Sequence, residues 1–118
     1  MAQQSSLSNS LHMAIEGRDV DLLMSLYDDN AELRVIDRNH PPSSPLQMRG
    51  KQAILQYFND IFQRNMTHKI QDEVVGDNRM SFTEDCQYPN GTRVFTSSTL
   101  EMRNGKIVRE VEVQEWDG

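Results

Sequence analysis

Residues 67–75, THKIQDEVV, and residues 80–88, MSFTEDCQY, are strand-length runs that place ionisable residues on the same face as hydrophobic ones. Successive side chains of a strand point to opposite sides, so one face of the first run carries His68, Ile70, Asp72 and Val74. The matching face of the second run carries Met80, Phe82, Glu84, Cys86 and Tyr88. An entirely apolar core would exclude the charged residues, because burying even a neutral unpaired polar group costs roughly 2–7 kcal/mol. The two runs therefore predict a sheet that lines a polar, partly wet cavity.

The composition limits the class of protein. A chain of 118 residues has the usual size of one domain, and we expect a single domain over residues 1–118. The net charge of −6 and the absence of a basic run argue against nucleic acid as a partner. No apolar stretch approaches the roughly 18 residues of a membrane span, and the first ten residues lack a signal-peptide pattern. With a single cysteine, Cys86, we expect a soluble cytoplasmic protein that does not bind membranes.

The first half of the chain predicts helices around one short strand. Apolar residues at helical spacing indicate a first helix that stops near Gly17 and a second that Asp19 caps. A strand is predicted over residues 31–36 and a loop over residues 38–49, which hold three of the four prolines. Gly50 then begins the helix with the clearest apolar stripe, formed by Ala53, Ile54, Tyr57, Phe58, Ile61 and Phe62.

The second half predicts a meander of four strands. Turn-forming sequences at residues 76–78, 89–91 and 104–105 separate the runs, and the two Asn-Gly pairs suit tight hairpin turns. Antiparallel hairpins are the natural connections between such runs. The chain thus predicts the order helix, helix, strand, helix and four strands, which is an α+β fold.

This order, together with particular residues, resembles the nuclear transport factor 2-like superfamily and, within it, the SnoaL-like polyketide cyclase group. The segments that carry the resemblance are LYDDNAEL at 26–33, GKQAI at 50–54, YPNGTRV at 88–94 and GKIV at 105–108. The resemblance implies an α+β cone, open at one end, whose curved sheet wraps around the long helix. It also implies a homodimer through the exposed sheet face, and a small hydrophobic ligand inside the cone.

His68 is the leading candidate for chemistry. Its imidazole can take up or release a proton near neutral pH, and alternation places Glu84 and Asp72 on the same face. A carboxylate beside the ring can fix its tautomer or act as the base itself. The alternative for all three is structural, with the histidine hydrogen-bonded to a neighbouring strand and the carboxylates at the rim. The resemblance adds Asp37, because an aspartate in this region is the proton-transfer base in the steroid isomerase branch, although the local motif here differs.

A second group of residues is predicted to bind the ligand. Tyr57, Tyr88 and Trp116 combine aromatic surface with a polar atom that can orient a flat apolar molecule. Arg109 can stabilise an anionic oxygen if its face of the last strand is internal, or pair with a carboxylate at a dimer interface if that face is external. Alternation alone does not decide which face of this strand is internal.

No cofactor is expected. The histidines at 12, 40 and 68 form no closely spaced ligand pair for a metal, and the chain has no glycine-rich phosphate-binding loop. The resemblance implies a cofactor-free cyclase or isomerase that acts on a small hydrophobic carbonyl compound by acid–base catalysis. The alternative is a non-catalytic ligand-binding or dimeric interaction module with the same fold, since a fold does not determine an activity.

Overall fold

The structure, a computed structural model, describes residues 2–117, with side chains from Leu7 onward. Three helices and six strands follow one another along the chain. They are α1 (Ala2–Glu16), α2 (Val20–Met24), β1 (Tyr27–Ile36), β2 (Leu46–Arg49), α3 (Lys51–Gln63), β3 (Thr67–Val75), β4 (Arg79–Gln87), β5 (Arg93–Arg103) and β6 (Lys106–Trp116). The predicted α+β class is confirmed.

The strands form one curved sheet in the order β2-β1-β6-β5-β4-β3. Strands β3 to β6 are the predicted antiparallel meander, and β1 joins it by pairing parallel to β6. The sheet does not close, so β2 and β3 are its two edges. Its curvature leaves a concave side on which the helices pack.

Helix α3 provides the apolar stripe that this concave side requires. Ile54, Phe58 and Phe62, which lie four residues apart, are all buried in the main core. Gly50 precedes the helix with a φ of 88°, a conformation that residues with a Cβ rarely adopt. The stripe predicted from the sequence therefore becomes the centre of the fold.

The predicted loop over residues 38–49 is wrong for its last four residues, which form β2. Leu46 and Met48 alternate with polar residues and pair antiparallel with Val35 and Leu33 of β1. The three prolines all precede this strand, so its backbone groups remain free to pair. The remainder of the segment connects the end of β1 to this edge strand.

The outer face of the sheet exposes two large apolar side chains, Phe95 and Val113, at 47% and 46% of their surface. This is the face through which the sequence predicts a homodimer, and the dimer stays a prediction. None of the helices in residues 2–117 combines the length and apolar character that crossing a membrane requires.

Helix α1 is attached to the edge strand β3 through a cluster of ionisable groups. His12 Nε2 lies 2.6 Å from Glu73 Oε2, and Nδ1 lies 3.4 Å from Glu16 Oε2. Burial lowers the pKa of His12, but the hydrogen bond and charge of Glu73, with the charge of Glu16, raise it by more, so that it lies above 6.5. The attachment of α1 is therefore predicted to depend on pH.

We expect Glu73→Gln to lower the pKa of His12, measured by NMR titration. Because protonation of His12 is favoured in the folded state, the stabilisation is complete below the unfolded pKa near 6.5 and is lost as pH rises through the folded pKa. In urea denaturation, the stability advantage of the wild type over Glu73→Gln should be largest at pH 5.5 and shrink by pH 8.5. Glu115→Gln, at an exposed position, is the control. An unchanged His12 titration in Glu73→Gln would contradict the prediction.

Candidate functional site

A cavity of about 300 Å³ lies between α3 and the concave face of the sheet. Its apolar lining comes mainly from the helix and the strand ends near it, and consists of Ile15, Phe58, Ile61, Phe62, Met66 and Val94. Polar side chains from β3 to β6 and from the segment after β1 complete the wall. The volume is at the lower end of the usual range for small-molecule sites.

His68 lies in this wall and is held by Glu84. The two residues come from β3 and β4, whose register places His68 opposite Cys86 and therefore one inward position from Glu84. His68 Nδ1 lies 2.7 Å from Glu84 Oε2, and the two side chains are only 2% and 12% exposed. A carboxylate at Nδ1 favours the tautomer with the proton on that nitrogen, which leaves Nε2 as an acceptor. Nε2 is buried and has no hydrogen-bond partner within the described residues.

Cys86 belongs to the same group but is poorly suited to nucleophilic chemistry. Its Sγ lies 3.0 Å from Glu84 Oε2 and 3.3 Å from His68 Nδ1. Glu84 and Cys86 therefore both contact Nδ1 of His68. A catalytic triad instead requires the thiol and the carboxylate on opposite nitrogens of the imidazole ring. Burial, with the charge of Glu84, raises the pKa of the Cys86 thiol. The thiol is a neutral donor to Glu84.

In the described part of the chain, the side chains that lie close enough together to ligate a cation are His68, Glu84 and Cys86. Their donor atoms lie within 4.8 Å of one another, and the donor set of His, Glu and Cys suits Zn²⁺. However, the hydrogen bonds among His68, Glu84 and Cys86 already account for their positions. A metal would also require a thiolate at Cys86, where the raised thiol pKa opposes it.

Strand β6 contributes a hydrogen-bonded row along the cavity wall that sequence reasoning missed. Tyr57 and Gln114 both donate to Glu112 Oε2, over 3.2 Å and 2.6 Å. Gln114 Nε2 also lies 2.9 Å from Tyr57 Oη, and Trp116 Nε1 donates to Gln114 Oε1 over 3.1 Å. The row connects the middle of the sheet to Trp116 at the end of β6.

A bulge in β6 explains why the pattern was hard to assign. Glu101 pairs with Arg109 but the next residue, Met102, pairs with Ile107, so Val108 is an extra residue in the strand. Strict alternation groups Ile107 with Arg109, whereas the bulge turns Ile107 and Glu110 both inward. The two-residue spacing of Glu110, Glu112, Gln114 and Trp116 indicates that they share one face of β6. Only the position of the bulge shows that this face is the inner one.

Two buried glutamates result from this register. Glu110 and Glu112 are 3% and 6% exposed, and the hydroxyl group of Tyr27 donates a hydrogen bond to Glu110. Burial raises the pKa of both carboxyls, and the negative charge of each neighbouring carboxylate adds to the rise. Burial also raises the pKa of Tyr57, so its hydroxyl stays protonated at any ordinary pH. Each glutamate can therefore exist as a neutral acid that donates a hydrogen bond.

Asp37 and Tyr88 lie where predicted, in the cavity wall. Asp37 Oδ1 accepts from the backbone of Asn39 over 2.8 Å and lies 2.9 Å from His40 Nδ1. The carboxylate thus organises the turn that follows β1. Tyr88 Oη accepts from Arg64 over 3.0 Å, and its ring lies 6.0 Å from that of Trp116.

Two predicted binding residues lie outside the cavity. Asp72 is exposed, because a bulge between Gln71 and Val74 breaks the alternation of β3, and its φ of 56° turns it out of the strand pattern. Its carboxylate accepts from Thr83 Oγ1 over 3.0 Å instead. Arg109 is exposed on the outer face of β6, opposite Glu101. The placement of Asp72 in the cavity is therefore wrong, and of the two alternatives for Arg109 the structure has the external face. His68, Glu84, Tyr57 and Trp116 line the cavity.

The buried glutamates should make stability fall as pH rises. A carboxyl whose folded pKa is raised binds more protons in the folded than in the unfolded state, so the free energy of unfolding decreases from about pH 4.5 up to the folded pKa. We expect the double variant Glu110→Gln/Glu112→Gln to lose less stability than the wild type between pH 5 and pH 8 in urea denaturation. Glu115→Gln should follow the wild-type curve, and an equally steep fall in the double variant would contradict this prediction.

A family model described as the SnoaL-like domain matches residues 9–110. A search of curated proteins gave no match. Among solved structures, an NTF2-like protein of unknown function from Burkholderia xenovorans LB400 is 20% identical, with a TM-score of 0.83 over 99% of this chain and 86% of that one.

Two further structures carry the names of isomerases. A proposed ketosteroid isomerase from Kribbella flavida DSM 17836 is 14% identical, with a TM-score of 0.76 over 99% of this chain and 79% of its own. A proposed isomerase from Bacillus subtilis is 21% identical, with a TM-score of 0.73 over 96% of this chain and 86% of its own. At these identities the similarity shows a shared fold. Because the family model spans most of the sequence, the chain belongs to the SnoaL-like domain family and has the NTF2-like fold.

Proposed function

We propose that this protein is a cofactor-free enzyme of the isomerase or cyclase type, which moves a proton on the carbon next to a carbonyl group of a small hydrophobic substrate. The proposal rests mainly on one observation. The imidazole of His68 is buried in the cavity wall, Glu84 holds its Nδ1, and Nε2 has no partner among the residues that the structure describes. This is the arrangement that a general base requires, because the tautomer is fixed and the free nitrogen is left for the substrate.

Besides a base, the reaction requires hydrogen-bond donors for the carbonyl oxygen of the substrate, which becomes negatively charged when the proton leaves. Thr96 Oγ1 is buried in the same cavity and has no partner within the described residues, so its hydroxyl proton is available. Tyr57 and Glu112 are hydrogen-bonded to each other in that wall. The protonated form of Glu112, which burial favours, can donate to a substrate oxygen. Such fixed donors in a water-poor site are an effective source of transition-state stabilisation.

The proposed step balances as a simple proton transfer. The C–H bond next to the carbonyl breaks, the proton moves to His68 Nε2, and the electron pair moves into an enolate whose oxygen accepts from the donors around Glu112. In a β,γ-unsaturated ketone the enolate extends over the double bond, and return of the proton to the γ-carbon gives the conjugated isomer. Attack of the enolate carbon on a second carbonyl of the same molecule forms a ring, and the resulting alkoxide takes the proton from His68. Both outcomes use the same residues.

Asp37 is the second candidate base, and its surroundings favour it less. Its Oδ1 already accepts from Asn39 and contacts His40, as expected of a turn-forming aspartate. By contrast, Nε2 of His68 accepts from no group in the described part of the chain. We therefore assign proton transfer to His68, orientation of the ring to Glu84, and a structural role at the cavity wall to Asp37.

The test is exchange of the α-protons of aryl alkyl ketones for deuterium, followed by NMR in D₂O, beginning with propiophenone. We expect the wild type to exceed the buffer rate and His68→Ala to lower the enzymatic rate by about 10²–10⁴-fold, the usual contribution of a general base. Glu84→Gln should lower the rate less, because it impairs the orientation of the ring without removing it. Asp37→Asn should retain most of the exchange.

Arg109→Gln is the matched control, because Arg109 lies on the outer face of the sheet. Thermal unfolding of each variant checks that the fold is intact, and His68→Gln, which keeps a polar side chain, replaces His68→Ala if the latter fails to fold. A His68 variant that exchanges as fast as the wild type would refute the assignment. Ketone binding without any exchange would instead identify a ligand-binding module of the same fold.

A further inference from the structure

Arg38 lies in the cavity wall at the end where β1 and β6 finish. It follows β1 by two residues, and its guanidinium carbon lies 5.0 Å from the centroid of the Trp116 ring. The Trp116 ring is itself fixed, because its Nε1 donates to Gln114 and its face adjoins Tyr88. Because Arg38 is exposed, the stacking positions the cation where the cavity wall meets the solvent, which we call the opening.

The guanidinium of Arg38 has no carboxylate within 4.0 Å among the residues that the structure describes. The second arginine of the cavity wall differs in this respect. Arg64 lies 2.6 Å from Asp60 and donates to Tyr88, so its donors are engaged. Arg38 thus presents a positioned cation that has no ion-pair partner within residues 7–117, although the chain as a whole has a net charge of −6. An unpaired guanidinium is well suited to a planar anion such as a carboxylate.

The interior of the cavity has the opposite character. Glu84 and Glu112 line its wall, and Glu110 lies behind Glu112. An anionic group placed deep in the cavity would be repelled by the Glu84 carboxylate, whereas one placed beside Arg38 would be attracted. Glu112, in the neutral form that burial favours, can instead donate to an uncharged carbonyl oxygen. A molecule with one anionic end is therefore oriented, with that end outward and its apolar part against the aromatic side chains of α3.

The spacing along β6 indicates the length of such a molecule. Glu112 and Trp116 lie four residues apart in the same strand, which corresponds to about 13 Å. A carbonyl oxygen near Glu112 and an anion above Trp116 are therefore separated by roughly 10 Å, once the lengths of the side chains are allowed for.

We propose that the substrate is an amphipathic carbonyl compound that carries a carboxylate or a similar anion at the end remote from its reacting carbonyl, and that Arg38 binds this anion. This deepens the proposed function and rests on it for the position of the carbonyl group. Arg38 is here a specificity-determining residue, because it contacts the substrate far from the carbon that loses its proton.

The experiment compares the binding of 6-oxo-6-phenylhexanoate and its methyl ester, two probes that differ only at the remote end, where the ester has a methyl group and no charge. Trp116 is the only tryptophan of the chain, so its fluorescence reports binding at the opening, and calorimetry confirms each affinity. We expect the wild type to bind the acid about tenfold more tightly than the ester at low salt, with the preference declining as the ionic strength rises.

Arg38→Gln should reduce the affinity for the acid to that for the ester and leave the ester unaffected. Arg38→Lys should retain part of the preference, because it keeps the charge without the planar donor pair. Arg103→Gln is the control, since it removes one positive charge at the exposed end of β5, away from the cavity. An equal affinity of the wild type for both probes, or no binding of the acid, overturns the proposal. An equal loss for both probes in Arg38→Gln also overturns it, because it indicates a structural role.

The two proposals can fail separately. Selective binding of the acid without deuterium exchange at its α-carbon keeps the anion site and rejects proton transfer by His68. Exchange at equal rates in the acid and the ester, at equal affinity, keeps proton transfer and rejects the anion site. In the His68→Ala variant the preference for the acid should persist while exchange is lost, because Arg38 and His68 belong to different parts of the cavity wall.

Discussion

The bulge at Val108 in β6 is the constraint on which the cavity depends. It places Ile107 and Glu110 on the same side of the strand, so β6 contributes an apolar residue near its start and a polar row beyond it. Without the extra residue, the alternation would bring Arg109 inward with Val111 and Val113, and the glutamates would face the solvent. The apolar end of β6 completes the core beneath α3, and its polar part forms the wall opposite His68.

The interior that results is polar in an ordered way. Carboxylates at positions 84, 110 and 112 each accept from at least one side chain, and the tyrosines that serve Glu110 and Glu112 come from different elements, β1 and α3. Buried acids of this kind reduce the stability of a fold while fixing its geometry. His68 Nε2 and Thr96 Oγ1, which have no hydrogen-bond partner among the described residues, lie in the same cavity wall. The carboxylates that support the site thus have hydrogen-bond partners within the protein, whereas the atoms that a ligand can contact do not, among the described residues.

The sequence predicted the fold and about half of the candidate site for identifiable reasons. The stripe of α3 and the alternation of β4 are local patterns that the structure preserves, so Phe58, Glu84 and the pairing of His68 with Glu84 on one face could be predicted. Both failures in the strands occur at bulges. Asp72 was misplaced, and the inner face of β6 was left undecided. In both strands a single extra residue reverses the alternation, and no local sequence pattern indicates where that residue is. The strand at residues 46–49 escaped notice because the prolines before it dominate the composition of that segment.

The bulge at Asp72 also affects how the molecule meets its surroundings. Strand β3 is an edge of the sheet, where the backbone N–H of Ile70 donates to Glu16 Oε2 and not to another strand. A long, flat edge would invite another sheet to extend it, which is a common route to aggregation. The left-handed residue in the middle of β3, together with the charges of Lys69 and Glu73 beside it, interrupts any continuous ladder. The bulge that places Asp72 outside the cavity therefore also makes the exposed edge of the sheet resistant to association with other sheets.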